Sequence, residues 1–421
     1  MGWFLGLSKV KSHTHPGRYR PSFPFPRVGF LTLLPVLALF QNNPQAIRYA
    51  QENQEGKVKS RQDRILELRA AVVPIPLSEP FACGSWVLES CINVVAAVRS
   101  ASGSVGFGYA FVFREIDGQT ILSAINGLRD TVLNRDPLDI QGLHGDLRTA
   151  INFLGAGGPA MSAVGAIDLA LWDLKGKILD TPVHALLGSG KTRVPAYASG
   201  GPFNKDLKAL EREVRSYVDA GFKAVKIKLP PDVPAACQRI AACHSWVGER
   251  VRMIYDSNQQ QSVKDAVTIA KCCVDHNAYW YEEPFPYWQL QFSADLRQQI
   301  PCRLALGETL YGEAPFYEAV KCHAADILMP NLHKIGGVTA WARISGLCGI
   351  AGIPLSSHTM PEVSAHVMSA TPLADMLEYM NWWEPLYEKP FAVEDSCLII
   401  SQDEPGFALR PSKAVLSALG M

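Results

Sequence analysis

The sequence predicts an α/β protein: a barrel of eight strand–helix units, preceded by a separate α+β domain. Three observations carry that expectation. After Arg193, short β-rich runs alternate with helical patterns at a nearly constant period, and there are eight of them. Almost every run ends on a polar or ionisable residue, namely Ser199, Lys228, Asp256, Glu282, Glu308, Asn331, His358 and Glu378. Upstream, over about residues 64–190, strands come first and helices follow, the order of an independent α+β unit.

Bulk properties bound the function. A chain of 421 residues, 48% hydrophobic and 19% charged, buries a large core and fits two domains. Forty basic and forty acidic residues leave no net field for nucleic acid or an anionic membrane, so recognition must be local and a small-molecule partner is the default. Ten cysteines without a C-x-x-C pair, mostly in apolar surroundings, favour reduced core thiols over disulfides or zinc, and so a reducing, cytoplasmic compartment.

Residues 1–63 stand apart as an N-terminal extension. Its first 51 residues carry Arg and Lys but no acid, and they include the apolar run "VGFLTLLPVLALF", Val28 to Phe40, broken by Pro35. That run is too short to span a bilayer. A targeting segment and an unstructured or mis-started extension both fit its composition. Within residues 64–190, "RILELRAAVVPIPL" and "NVVAAVRSASGSVGFGYAFVF" read as strands joined by Gly/Ser turns. "MSAVGAIDLALWDLKGKIL", Met161 to Leu179, has helical apolar spacing and stops before Pro182.

The barrel runs then follow: "RVPAYAS", "AVKIKL", "RMIYDSN", "AYWYEEP", "RLALGET", "ADILMPN", "GIPLSSH" and "ADMLEYM". From Lys228 their polar ends are 28, 26, 26, 23, 27 and 20 residues apart, about one strand–helix unit each. Such ends converge at the C-terminal mouth of a barrel, where catalytic groups sit. Asp256, Glu282 and Glu308 come from consecutive strands, and three carboxylates there repel unless a cation holds them. Hard oxygen donors with room for a substrate carboxylate suit Mg2+ better than zinc. Lys226 and Lys228, two apart on one strand, face the same way. A neighbouring ammonium lowers a lysine pKa towards that of a working base, while close carboxylates oppose the shift. His358 approaches from across the mouth.

These residues resemble the enolase superfamily, and within it the mandelate racemase group. "VKIKL", "YDSNQ", "YEEP", "LGET", "MPNLHKIGGVTAW", "IPLSSHTMPEVSAH" and "EPGFAL" fall in order over about residues 65–420. The resemblance implies a modified TIM barrel, (β/α)7β, over residues 191–385. It also implies an N-terminal capping domain over residues 64–190, completed by residues 386–421, and a homo-oligomer. It implies Mg2+ on Asp256, Glu282 and Glu308, binding the carboxylate of a small substrate. Lys228 matches a base on one face of the α-carbon, Lys226 a neighbour of the substrate carboxylate, and His358 the acid/base on the other face. Glu378 matches a carboxylic acid that donates to the enediolate, while Asn258 and Ser199 match supporting or substrate-contacting positions. The loop "PLSEPFACGSW", Pro76 to Trp86, is expected to close over the substrate, with Phe81 and Trp86 forming an apolar wall.

One departure stands out. Asn331 occupies the place of an Asp partner for the histidine, so its amide orients the imidazole without stabilising an imidazolium. His333 is the nearest substitute, although a histidine at a loop start is usually exposed. The leading expectation is abstraction of the α-proton of a 2-hydroxycarboxylate, giving racemisation or epimerisation. Acid-sugar dehydration with the same groups is the alternative, and a non-catalytic carboxylate binder the third.

Overall fold

The computed structural model describes residues 63–421, so the expectation for the basic N-terminal extension lies outside the described residues. The capping domain opens with three antiparallel strands, β1 (Ile65–Cys83), β2 (Trp86–Ser100) and β3 (Val105–Val112). The stretch Pro76–Trp86 is therefore the tip of a β1–β2 hairpin rather than a loop: pairing resumes at Phe81↔Leu88 after an irregularity and ends at Cys83↔Trp86. Gly84, at φ +55, makes the turn, and a Cβ there would meet Asn258 at 3.2 Å, so the hairpin tip rests on the barrel mouth. Helix α1 (Gly158–Ile178) covers β3 with small residues. Gly106 and Gly108 allow the approach, since a Cβ on either would come within 2.3 Å of an α1 carbonyl.

The barrel strands are β4 (Arg193–Gly200), β5 (Ala224–Lys228), β6 (Arg252–Asp256), β7 (Trp280–Glu282), β8 (Leu304–Leu306), β9 (Ile327–Leu328) and β10 (Leu377–Tyr379). Parallel pairing runs from β4 through β9, and β10 pairs with β4. The predicted strand in "GIPLSSH" shrinks to single bridges from Leu355 to Leu328 and Ala374, which complete the ring. Two-residue alternation fills the interior with Tyr197, Ile254, Trp280, Ala305, Ile327 and Met376 below the mouth.

After β10 the chain adds β11 (Val393–Glu394) and β12 (Cys397–Ile399), with β12 antiparallel to β4. It ends in a helix, Lys413–Leu419, and the carbonyls of Leu419 and Gly420 accept hydrogen bonds from Arg69 of β1 at 3.2 and 2.5 Å. Among the described residues no helix is long and apolar enough to cross a membrane.

The expectation of reduced core thiols rather than disulfides is corrected at one pair. Cys237 and Cys272 form a disulfide between the helices Val233–Val247 and Val263–Asp275. Consecutive strand–helix units lay these helices side by side, with the two Cα atoms 5.8 Å apart, inside the disulfide range. No short-range motif signals a pair 35 residues apart. The other eight cysteines are free, and five of them are buried.

Candidate active site

Strand register builds the site. Lys228 lies opposite Asp256, and Asp256 opposite Glu282, so three successive strand ends present ionisable groups at one level. Glu308 lies beyond β8 and is brought in by Gly307, at φ +132. A Cβ there would sit 3.1 Å from the Met329 nitrogen and from the Phe316 ring, so glycine is required. As a result, one carboxylate oxygen each from Asp256, Glu282 and Glu308 lies within 4.8 Å of the others.

The lysines part company in their contacts. Lys226 Nζ sits 2.5 Å from Glu282 Oε1, 2.8 Å from Glu378 Oε1 and 3.8 Å from Asp256 Oδ2. Lys228 Nζ lies 2.5 Å from Asp256 Oδ2. Burial works against both charges, but Glu282 and Glu378 outweigh it at Lys226 and Asp256 at Lys228. Both amines are held above their ordinary value. Of the two opposed effects weighed from the sequence, the carboxylates win.

Backbone and neighbouring polar groups fix the acids. Trp280 Nε1 donates to Glu282 Oε2 at 2.8 Å. The Asn258 backbone and side-chain nitrogens donate to Asp256 at 2.7 and 3.1 Å. Several non-glycine residues at this mouth hold positive φ: Asn258 (+43), Gln259 (+67), Glu283 (+37), Thr359 (+52) and Met360 (+50). Such strain persists where surrounding contacts over-determine it, and it clusters at functional sites.

Glu378 departs from expectation. It accepts from the Thr359 N–H at 3.0 Å as well as pairing with Lys226, so it is an acceptor here and not a carboxylic-acid donor. Burial favours its neutral form, yet Lys226, His358 and Lys228 hold it ionised, down to about 2.

His358 Nε2 faces Glu308 Oε2 at 3.1 Å. Behind it, Asn331 starts the short helix α2 (Leu332–Ile335), and its Oδ1 accepts the Lys334 N–H at 3.4 Å. That bond turns the amide nitrogen towards the imidazole, where Nδ2 donates to Nδ1 at 2.8 Å. A ring nitrogen that accepts carries no proton, so the neutral ring keeps its proton on Nε2, the nitrogen facing the cavity.

Phe81, Trp86, Asn258, Lys228, His358 and Glu378 line one cavity of about 240 Å³ beneath the hairpin tip. Ser199 does not. It pairs with Lys226, a level below Lys228, and lines a neighbouring cavity with Glu213 and Tyr217. Phe81, Met380 and Trp382 line both cavities and stand between them. His333 is buried rather than exposed: its Nδ1 lies 3.1 Å from Ser162 Oγ and its ring packs on Phe111. Burial holds it well below its ordinary value.

The sequence reading missed Glu283, Thr359 and Lys334. Glu283 accepts from Gly307 N at 3.2 Å and from Gln259 Nε2 at 2.6 Å, tying the residue before Glu308 to the segment that follows β6. Burial, joined by Glu308 and Asp256, pushes its carboxyl up to about 8. A second acid in "YEEP" was available as a signal, but strand alternation would have turned it away from the mouth; at φ +37 it reaches Gly307 beside Glu308.

Barrel, cap and converging acids define a class, and comparison with known proteins agrees. Residues 66–188 match the "Mandelate racemase / muconate lactonizing enzyme, N-terminal domain" and residues 209–415 the "Enolase C-terminal domain-like" family. The chain belongs to the mandelate racemase / muconate lactonizing enzyme family of the enolase superfamily. It is 27% identical over 367 residues to L-talarate/galactarate dehydratase of Salmonella typhimurium LT2, covering 85% of this chain and 92% of that one. The crystal structure of that dehydratase with Mg and L-lyxarohydroxamate superposes with a TM-score of 0.81 over 84% of this chain and 92% of that one, at 27% identity. An enolase from Bradyrhizobium complexed with magnesium and mandelic acid gives 0.79 at 28% identity, over 85% and 98% of the two chains.

Proposed function

We propose that this enzyme dehydrates a 2,3-dihydroxycarboxylate with Mg2+ held by Asp256, Glu282 and Glu308. The donor set fits that ion: three carboxylates, no sulfur or imidazole among them, within 4.8 Å of one another at an open mouth. When bound, the cation supplies charge stabilisation to the substrate carboxylate.

The chain's own groups divide the proton traffic. A cation on Asp256 would offset the carboxylate that holds Lys228 charged; Lys228, then neutral, takes the α-proton, and Lys226 keeps a fixed positive charge among the acids. The C3–O bond then breaks with its electron pair going to oxygen. His358 Nε2–H protonates that oxygen, which departs as water, and the imidazolate left behind regains its proton through solvent from the Lys228 ammonium. The remaining enol becomes a 2-keto-3-deoxy acid.

The observation that carries this reading is the Asn331–His358 contact at 2.8 Å, which presents a proton donor to the cavity. Racemisation needs a base on each face of the α-carbon, and a ring protonated at Nε2 is not one. The contact therefore favours dehydration over the racemisation first expected from sequence, and the dehydratase relative supports the same choice. The intact Lys228, His358 and triple-acid set speaks against a non-catalytic binder.

Incubation with 2,3-dihydroxy acids and Mg2+ in deuterated water tests it. Keto acid should form, and Lys228→Ala should abolish both C2 exchange and product while a paramagnetic Mn2+ probe still binds. Exchange with inversion and no keto acid would overturn the proposal.

A further inference from the structure

The cavity has two unlike sides. Its floor, from the barrel, is polar: Lys228, Asn258, Glu308, Lys334, His358 and Glu378. Its roof, from the cap and the segment after β10, is apolar: Phe81, Trp86, Leu88, Phe111, Phe113 and Trp382. The roof is a packed aromatic assembly rather than scattered rings. Phe81 and Phe113 meet Trp382 edge-on at 5.0 and 6.1 Å, and Phe111 meets Trp383 at 4.8 Å.

Roof charges are already spoken for. Arg114 and Asp117 reach the cavity wall, but they bind each other through two parallel hydrogen bonds of 2.6 and 2.7 Å. The guanidinium also lies 5.9 Å from the Trp86 ring centre. A polyhydroxy chain extending from the floor would carry several donors and acceptors into this roof, whereas a ring or alkyl group would find matching surface.

We infer that the end of the substrate remote from the carboxylate is apolar: a 3-aryl- or 3-alkyl-2,3-dihydroxycarboxylate rather than a polyol acid or diacid. The inference rests on the dehydration reading for its head group, and on the roof for its tail. The volume of about 240 Å³ is below the roughly 300–1,000 Å³ of drug-sized sites and restricts the tail to one ring or a short branched chain.

The test uses the full chain with Mg2+ and three acids that share their first three carbons: 2,3-dihydroxy-3-phenylpropanoate, threonate and galactarate. Calorimetric Kd, C2 deuterium exchange and keto-acid formation are measured for each. The phenyl acid should bind with a Kd about 10- to 100-fold lower than either other acid and turn over with a kcat/KM higher by the same factor, the scale on which apolar pockets discriminate. Trp86→Ala, at a side chain 54% exposed and so outside the folding core, should narrow that ratio, as should Trp382→Ala. Threonate or galactarate binding as well as the phenyl acid, or no binding by any of them, overturns the inference. Tighter binding of the phenyl acid without exchange from any acid upholds the apolar tail and sinks the dehydration reading instead.

Discussion

Replacing Asn331 by Asp changes one atom and inverts the histidine. The residue is fully buried, and its Oδ1 would go on accepting the Lys334 N–H, so the start of α2 is retained. The other position, 2.8 Å from His358 Nδ1, changes from a donor to an acceptor. A carboxylate there demands a proton on Nδ1, and the neutral ring then offers a lone pair at Nε2. The face opposite Lys228 gains a base. A positioned general base or acid contributes about 10²–10⁴-fold, so Asn331→Asp should raise the ratio of C2 inversion to keto-acid formation by at least about 100-fold. NMR in deuterated water, starting from a single C2 epimer, reads both quantities in one sample. Asn331→Ala is the control: it frees the ring without supplying an acceptor and should lower keto-acid formation without creating inversion. An unchanged or smaller ratio in Asn331→Asp would refute the tautomer argument, and with it the reason for preferring dehydration.

Two further predictions concern stability. His144 is buried with Nε2 3.1 Å from the Gly336 carbonyl, and burial, with Arg343 nearby, pulls its pKa down to about 4. A depressed histidine binds its proton more readily when unfolded, so its contribution is full above about pH 6.5 and is lost as pH falls towards 4. That amounts to about 3 kcal/mol at 1.36 kcal/mol per unit. Urea midpoints should fall across that window, less steeply in His144→Gln; a parallel decline in both proteins would contradict this. Gly337→Ala places a Cβ 2.2 Å from Asp168 Oδ2 at φ +93 and displaces the carboxylate that receives Thr339 N–H and Oγ1–H at 3.0 and 2.6 Å. Left-handed strain and the lost cap on the helix Val338–Ala351 together should cost about 2–4 kcal/mol in urea unfolding, and a loss below about 1 kcal/mol would show that the start of that helix adjusts freely.

The parts of the fold that were legible share a physical cause. Parallel strands buried on both faces read as apolar runs, and their polar last residues mark the mouth, so the barrel and its acid-bearing ends were visible without any contact information. Where an element is held by something other than its own pattern, the sequence misled. The "GIPLSSH" run has strand composition but makes only isolated bridges at Leu355. "PLSEPFACGSW" has turn composition, yet cross-strand pairing with β2 carries it as a hairpin out to Cys83. Ser199 satisfied the strand-end rule but sits opposite Lys226, and only the register reveals that it is one level too deep.

Asn331 marks the boundary between the two kinds of information. From sequence it reads as a missing charge, a deficit that weakens His358 on either reaction path. An asparagine opening a helical turn was also a visible capping signal, but its consequence needed coordinates. Capping spends the amide oxygen on Lys334 and leaves only the amide nitrogen for the imidazole, at 2.8 Å. The substitution therefore selects a role for the histidine instead of merely impairing it. In the proposed mechanism one face has its base in Lys228 and the other its donor in His358. That asymmetry suits an elimination, in which one proton is taken and one is given, and it is unsuited to an exchange that must run equally from both faces.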